Sequence, residues 1–210
     1  MSSIYVLPSE LLDLIISHLP YADFKSHRLT CHALSESAAR WLFCRVVITY
    51  HQHDDSFDRV QGFFEEYAPL IRRLSLFYYE DCRPERIFES LSFFKRMPSL
   101  EQLWLYTLQA LFTDDSVTGQ FESLMFQASP LTPPTERILP QLRWLRIDNN
   151  GWYRKKYWYL DNLAVLFIIP TLEHLELEYL VLRDQDPKFP GSFDLNQRQT
   201  NLKSLIIENI

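Results

Sequence analysis

The stretch PTLEHLELEYL (170–180) alternates at its centre: His174, Leu175, Glu176, Leu177, Glu178. Such alternation suits a strand with one buried face, because successive side chains point to opposite sides. Pro170 opens the unit, Leu172 follows, and two spacers lead into the alternation. Proline has no N–H for a ladder and ends a preceding helix, so it belongs ahead of the strand. The same pattern, Pro-x-Leu-x-x-Leu-x-Leu, recurs as PLIRRLSL from Pro69, PSLEQLWL from Pro98 and PQLRWLRI from Pro140. TNLKSLII, from Thr200, has Thr in the proline position. Successive starts are 29, 42, 30 and 30 residues apart. A period in this range marks a stack of repeated supersecondary units.

A single LxxLxL also fits the spacing of an amphipathic helix. Five phased copies, four of them opened by proline, favour the strand. The segments between copies have helical spacing. FDRVQGFFEEY (57–67) sets Phe57, Val60, Phe63 and Phe64 on one side. PERIFESLSFFKRM (84–97) opens with Pro and Glu and carries Ile87, Phe88, Leu91 and Phe94. LDNLAVLFII (160–169) is mostly apolar. The longest spacing contains residues 114–140, whose Ser, Thr and Pro content predicts a surface insertion around one short helix. DPKFPGSFDLNQRQ (186–199) is poor in helix signals and reads as irregular. Strand, helix and parallel strand in right-handed succession follow. The expected fold class is an α/β solenoid with a curved parallel sheet and helices behind it. RVVITY (45–50), β-branched and short, reads as the first strand.

The pattern resembles the leucine-rich repeat, whose core is LxxLxLxxNxL, over roughly two thirds of the chain. At the family's Asn position stand Tyr79, Leu108, Asn150, Leu180 and Ile210, so only Asn150 matches and the turns are organised otherwise. Residues 45–210 are expected to form a leucine-rich-repeat-like, target-binding domain. It ends on LIIENI (205–210), an apolar sheet edge that suggests an incomplete C-terminus.

Ahead of the repeats lies VLPSELLDLIISHLPYADFKSHRLTCHALSESAARWLF (6–43). Pro8 sits at a helix start and Glu10 in the first turn, where a carboxylate meets the positive end of the dipole. Leu11, Leu12, Leu14, Ile15, Ile16 and Leu19 cover more than one helical stripe. A module this small cannot hide all of them internally. Pro20 stops the helix, Asp23 is placed to cap a second from Phe24, and Cys31 to Phe43 reads as a third.

These residues resemble the F-box, which docks substrate receptors onto the adaptor subunit of a cullin–RING ubiquitin ligase. The matching positions are Leu7-Pro8-x-Glu10, Ile15, Leu19, Leu29-x-Cys31 and Leu34. The family often has Trp near Leu34; here Trp41 lies further along. The resemblance implies an F-box over residues 1–44, with Leu7, Pro8, Leu11, Ile15 and Leu19 contacting the adaptor. It also implies a receptor that performs no chemistry and holds a target protein on its repeat sheet. The alternative is a leucine-rich-repeat-like binding scaffold with no ubiquitin role, in which the helices only cap the repeats.

Alternation predicts three outward rows across the sheet. The first is Arg73, Gln102, Trp144, His174 and Ser204; the second Ser75, Trp104, Arg146, Glu176 and Ile206; the third Phe77, Tyr106, Asp148, Glu178 and Glu208. Trp104, Tyr106, Trp144, Arg146, Asp148, His174, Glu176 and Glu178 are the candidate target-binding residues, because Trp, Tyr and Arg dominate interface energetics. The acidic third row favours a partner with an apolar anchor and a basic flank. Long loops lying over the aromatics are the competing reading.

The remaining composition narrows the classes. Net charge is −6, which argues against general binding of nucleic acid. No apolar run approaches the roughly 20 residues that span a bilayer, and MSSIYVLPSE lacks the features of a secretory signal. Cys31, Cys44 and Cys82 follow neither disulfide nor zinc spacing, which points to cytosol or nucleus. Only 4 Gly occur, and no phosphate loop, nucleophile elbow or HExxH is present. No cofactor and no metal are expected. His51-x-His53 with Asp54 and Asp55 reads as a solvated loop rather than a metal site. DNNGWYRKKYWY (148–159) reads as a turn with a basic tip rather than an RNA contact.

Overall fold

In the computed structural model, the residues described are 7–29, 32–50, 57–78, 92–106, 115–128, 132–148, 157–159, 166–178, 181–183 and 201–208. The chain divides into two compact units, Met1–Val46 and Val47–Ile210.

The first unit holds α1 (Ser9–Ser17), α2 (Tyr21–Arg28) and α3 (His32–Phe43). Pro8 is the N-cap of α1, and its carbonyl accepts the N–H groups of Leu11 and Leu12 at 3.0 and 3.1 Å. Pro20 repeats this ahead of α2, where Asp23 N–H donates to its carbonyl at 2.9 Å. The expected second helix from Phe24, capped by Asp23, is corrected: it begins at Tyr21, Pro20 caps it, and Asp23 lies in its first turn. Proline's fixed φ already suits a helix entry, and the Asp23 carboxylate still faces the dipole. Ile16, Phe24, Ala38 and Leu42 form the core, with Leu19, Leu34 and Phe43 packed against it. Asp13 on α1 and Arg40 on α3 are bridged at 2.9 Å. Cys31 lies outside the described residues.

RVVITY forms β1 (Arg45–Tyr50), and FDRVQGFFEEY forms α4 (Phe57–Tyr67). Further on come β2 (Arg73–Tyr78), β3 (Gln102–Tyr106), α5 (Asp115–Ala128), β4 (Trp144–Asp148), β5 (Tyr157–Tyr159), β6 (His174–Glu178), β7 (Val181–Arg183) and β8 (Ser204–Glu208). Among the described residues, six strands make one sheet in the order β1-β2-β3-β4-β6-β8, an α/β arrangement. The pairings β2–β3, β3–β4, β4–β6 and β6–β8 are all parallel.

Register follows the sequence repeat residue for residue. Leu74, Leu103, Leu145, Leu175 and Leu205 align, as do Leu76, Leu105, Ile147, Leu177 and Ile207. In the first four copies these two ladders are closed to solvent, with Leu103, Leu105, Leu145, Ile147, Leu175 and Leu177 all at 0% exposure. Ile71, Leu100, Leu142 and Leu172 are equally buried. Each large aliphatic chain so enclosed contributes about 1.5–3 kcal/mol.

The prolines have a local role as well. Ile71, Leu100, Leu142 and Leu172 N–H groups donate to Ala68, Met97, Leu139 and Ile169 carbonyls at 3.1–3.2 Å. Each bond closes a turn with proline in its second position, where a φ near −65° is required. Leu139, before Pro140, is the one non-glycine with positive φ (50°) among the described residues.

Between turn and strand, one residue per copy forms a charge ladder that was not read from the sequence: Arg72, Glu101, Arg143, Glu173, Lys203. Each carbonyl of the first four accepts two consecutive N–H groups of the next copy, as Arg72 does from Glu101 and Gln102 at 2.8 and 3.0 Å. Charges therefore alternate along the stack. Lys203 Nζ bridges Glu173 at 2.9 Å, and this hydrogen bond, chiefly, holds the Glu173 carboxyl below its ordinary value. A lowered carboxyl stabilises the fold above its unfolded pKa, and the effect fades as pH falls through the folded value. Glu173→Lys places three cations in succession. It should lower the thermal midpoint at low salt and neutral pH, with the loss shrinking near 1 M salt, where the Debye length is about 3 Å.

Two expectations are corrected. The helix expected within residues 114–140 is present but is neither short nor superficial: α5 is 14 residues long and buries Phe121, Leu124, Met125 and Ala128. Its apolar i, i+3, i+4, i+7 spacing supplies a core face. The last three residues of DNNGWYRKKYWY form β5, which pairs in parallel with β7. Both strands follow sheet strands of adjacent copies, so aligned copies bring them together. Of PERIFESLSFFKRM, residues 84–91 lie outside the described residues and Phe93–Arg96 form a short 3-10 turn. His51, His53, Asp54, Asp55 and Asn150 also lie outside. Among the described residues, no helix is long and apolar enough to cross a membrane.

Candidate functional site

Two surfaces stand out, one on each unit. On α1 the apolar residues separate into two stripes. Leu12 and Ile16 are buried at 4% and 1% exposure. Leu11, Leu14 and Ile15, spaced i, i+3, i+4, are 46%, 56% and 47% exposed, and Leu7 is 37% exposed. Pro8 is exposed too. The Asp13–Arg40 bridge joins α1 to α3, and the inward stripe meets the core of this unit. The sequence could not tell which stripe faces in. It missed Leu14, although the helical offset from Leu11 points to it. Leu19, one of the five expected adaptor contacts, packs partly against Ile16, Phe24, Ala38 and Leu42 instead of standing clear.

The second surface is the face of the six-stranded sheet opposite the two leucine ladders. The three outward rows align as the alternation predicts, for example Trp104↔Arg146↔Glu176 and Tyr106↔Asp148↔Glu178. Ser75, Phe77, Gln102, Trp104, Tyr106, Trp144, Arg146, His174, Glu176 and Glu178 are half-buried. Phe77, Trp104 and Tyr106 form a ring cluster with centroids 5.1–6.4 Å apart.

Arg146 sits at the centre. Its guanidinium lies 4.8 Å from the centroid of Trp104. Nη2 approaches Glu178 at 2.6 Å and Asp148 at 3.7 Å, and Nη1 approaches Glu176 at 3.6 Å. Trp144 Nε1–H donates to Glu176 at 3.3 Å. Three carboxylates around one guanidinium leave the patch net negative. Asp148 itself is 4% exposed, so it holds Arg146 from beneath rather than presenting a free carboxylate. Among the described residues, the Nε1–H of Trp104 and the Nε–H of Arg146 are buried with no acceptor in reach. Buried donors are normally satisfied, so these two add a cost to the packing of this face.

Arg146→Leu removes the cation that compensates Asp148 and should cost about 1–3 kcal/mol of stability. Adding Asp148→Asn should recover part of that loss in a double-mutant cycle followed by denaturant unfolding. Additive losses would show that the two side chains do not act together.

Among the described residues, no group of three His, Cys, Asp or Glu side chains is placed to hold a metal ion. No protein-family model matches the chain, and no curated protein matches it.

Proposed function

We propose that this chain is the substrate-recognition subunit of an SCF-type cullin–RING ubiquitin ligase, built as an F-box followed by a leucine-rich-repeat-like solenoid. The adaptor binds the outward stripe of α1 through Leu7, Pro8, Leu11, Leu14 and Ile15. A target protein binds the outward sheet face around Trp104, Tyr106, Trp144 and Arg146. The observation that carries this reading is the split of α1, whose Leu12 and Ile16 serve its own core while Leu11, Leu14 and Ile15 are left to solvent. A helix that only capped the repeats would have no need of a second apolar stripe.

The subunit does no chemistry itself. It raises the effective concentration of a target near a ubiquitin-charged enzyme, which turns a bimolecular encounter into a nearly intramolecular one. On the sheet face the ring cluster supplies the apolar anchor. Glu176, Glu178 and Asp148, in excess over Arg146, favour a partner with a basic flank. The setting is cytosolic or nuclear, and no cofactor is needed.

The test is capture of a cullin–RING adaptor subunit by the purified chain. Capture abolished by changes confined to the outward stripe supports the assignment. Failure of the unaltered chain to bind any adaptor selects the protein-binding scaffold without a ubiquitin role.

A further inference from the structure

Across the strands, the outward side chains change character in one direction. From β2 to β6 the third row reads Phe77, Tyr106, Asp148 and Glu178, and the second reads Ser75, Trp104, Arg146 and Glu176. Rings therefore stand over β2 and β3, and carboxylates over β4 and β6. The rings pack on one another, with centroids 5.1–6.4 Å apart. No slot opens between them, so an apolar group has to lie on top. Arg146 is the one Lys or Arg on β4 and β6. Arg73 stands on β2, on the far side of the rings. One guanidinium against the carboxylates of Asp148, Glu176 and Glu178 leaves the acidic end uncompensated. The side chains of Glu176 and Glu178 are 21% and 14% exposed, so both are within reach of an incoming cation.

We propose that the occupant of this face is an unmodified cationic segment of the target, and that a phosphate added beside its cation excludes it. This rests on the reading of the sheet face as the target site. An apolar residue of the segment sits on Phe77 and Tyr106, and a Lys or Arg is held by Glu176 and Glu178. The face already holds one cation in this manner: Arg146 lies 4.8 Å from the Trp104 centroid while meeting Glu178 at 2.6 Å. The main-chain groups of β3, β4 and β6 are paired strand to strand, so side chains supply the contacts. β3 and β6 are two strand spacings apart, about 10 Å, which an extended chain covers in about three residues. The segment therefore crosses the strands, with its cation about three residues from its apolar anchor.

Charge fixes the sign of regulation. A phosphoryl group brings a charge of about −1.5 to −2. Beside Glu176 and Glu178 it meets like charge, and the one nearby cation, Arg146, is engaged by three carboxylates. Like-charge juxtaposition suppresses a wrong partner. A kinase acting on this segment would protect the target from capture.

Selection of short random displayed peptides on the purified chain reads the first part. Peptides with an apolar residue and a Lys or Arg about three positions away should be enriched. The enriched peptide is then synthesised with serine or phosphoserine next to its cation, and each form is titrated by fluorescence anisotropy. Phosphoserine should weaken binding by about tenfold or more. Glu176→Gln with Glu178→Gln should weaken the serine peptide and shrink the gap between the two forms, with the thermal midpoint showing that the variant is folded. In the unaltered chain, about 1 M salt should weaken the serine peptide without any substitution. Enrichment of acidic peptides, no enrichment, a phosphoserine peptide that binds as tightly as the serine form, or a second copy of the chain taking this face would each overturn the proposal. Adaptor capture is read separately on α1. A chain that captures an adaptor and fails these tests loses this proposal alone; one that passes them and captures no adaptor keeps it and loses the ubiquitin role.

Discussion

Leu145→Ala should lower unfolding free energy by about 2–5 kcal/mol, the range for emptying a closed aliphatic site. Leu145 is at 0% exposure and lies between Leu103 and Leu175, both equally closed. Neither neighbour can fill the space without leaving its own strand position. For a unit of this size, each kcal/mol moves the thermal midpoint by roughly 2–4 °C, so a fall of about 10 °C is expected. Leu205 occupies the same place in the repeat, yet is 45% exposed. Leu205→Ala in dilute solution should therefore change stability by less than about 0.5–1 kcal/mol. Equal losses at the two sites, read by tryptophan fluorescence in denaturant, would show that burial along the ladder does not set stability.

The second large effect is on binding. Leu11→Asp combined with Ile15→Asp should abolish adaptor capture while leaving thermal unfolding unaltered. Both side chains are nearly half exposed, so the folded chain loses little. A complex that buries them loses about 1.5–3 kcal/mol for each, or roughly a hundredfold to ten-thousandfold in affinity. Leu12→Asp or Ile16→Asp should act differently, since each puts a carboxylate into the core and unfolds the first unit. Leu19→Asp should weaken both stability and capture, because Leu19 packs partly against that core. Unchanged capture by the Leu11, Ile15 pair variant would rule out the F-box assignment.

Much of the fold was legible because it repeats. Proline opens four of the five copies, and the leucines at fixed offsets can be counted off one copy against the next. This places Trp104 beside Arg146 and Arg146 beside Glu176 without coordinates. α4 was legible for a different reason: Phe57, Val60, Phe63 and Phe64 have a spacing that no strand would produce. The burial of α5 was obscured by the Ser, Thr and Pro around it, which resemble a surface loop by composition. The start of α2 was misjudged because Asp23 offers a cap, whereas Pro20 already supplies the backbone geometry.

The sequence by itself determined the positions of the five repeat strands, their parallel succession and the rows that face outward. These follow from local rules: one proline turn, a period of two within a strand and a period near 30 between strands. Only the tertiary structure decided which stripe of α1 is enclosed, because both stripes are apolar and the choice depends on where Ala38 and Leu42 lie. It also decided that Asp148 is covered and braces Arg146, and that Leu205 and Ile207 are open where their counterparts are closed. A side chain's type sets what burial would yield, but neighbours distant in sequence determine whether it is buried.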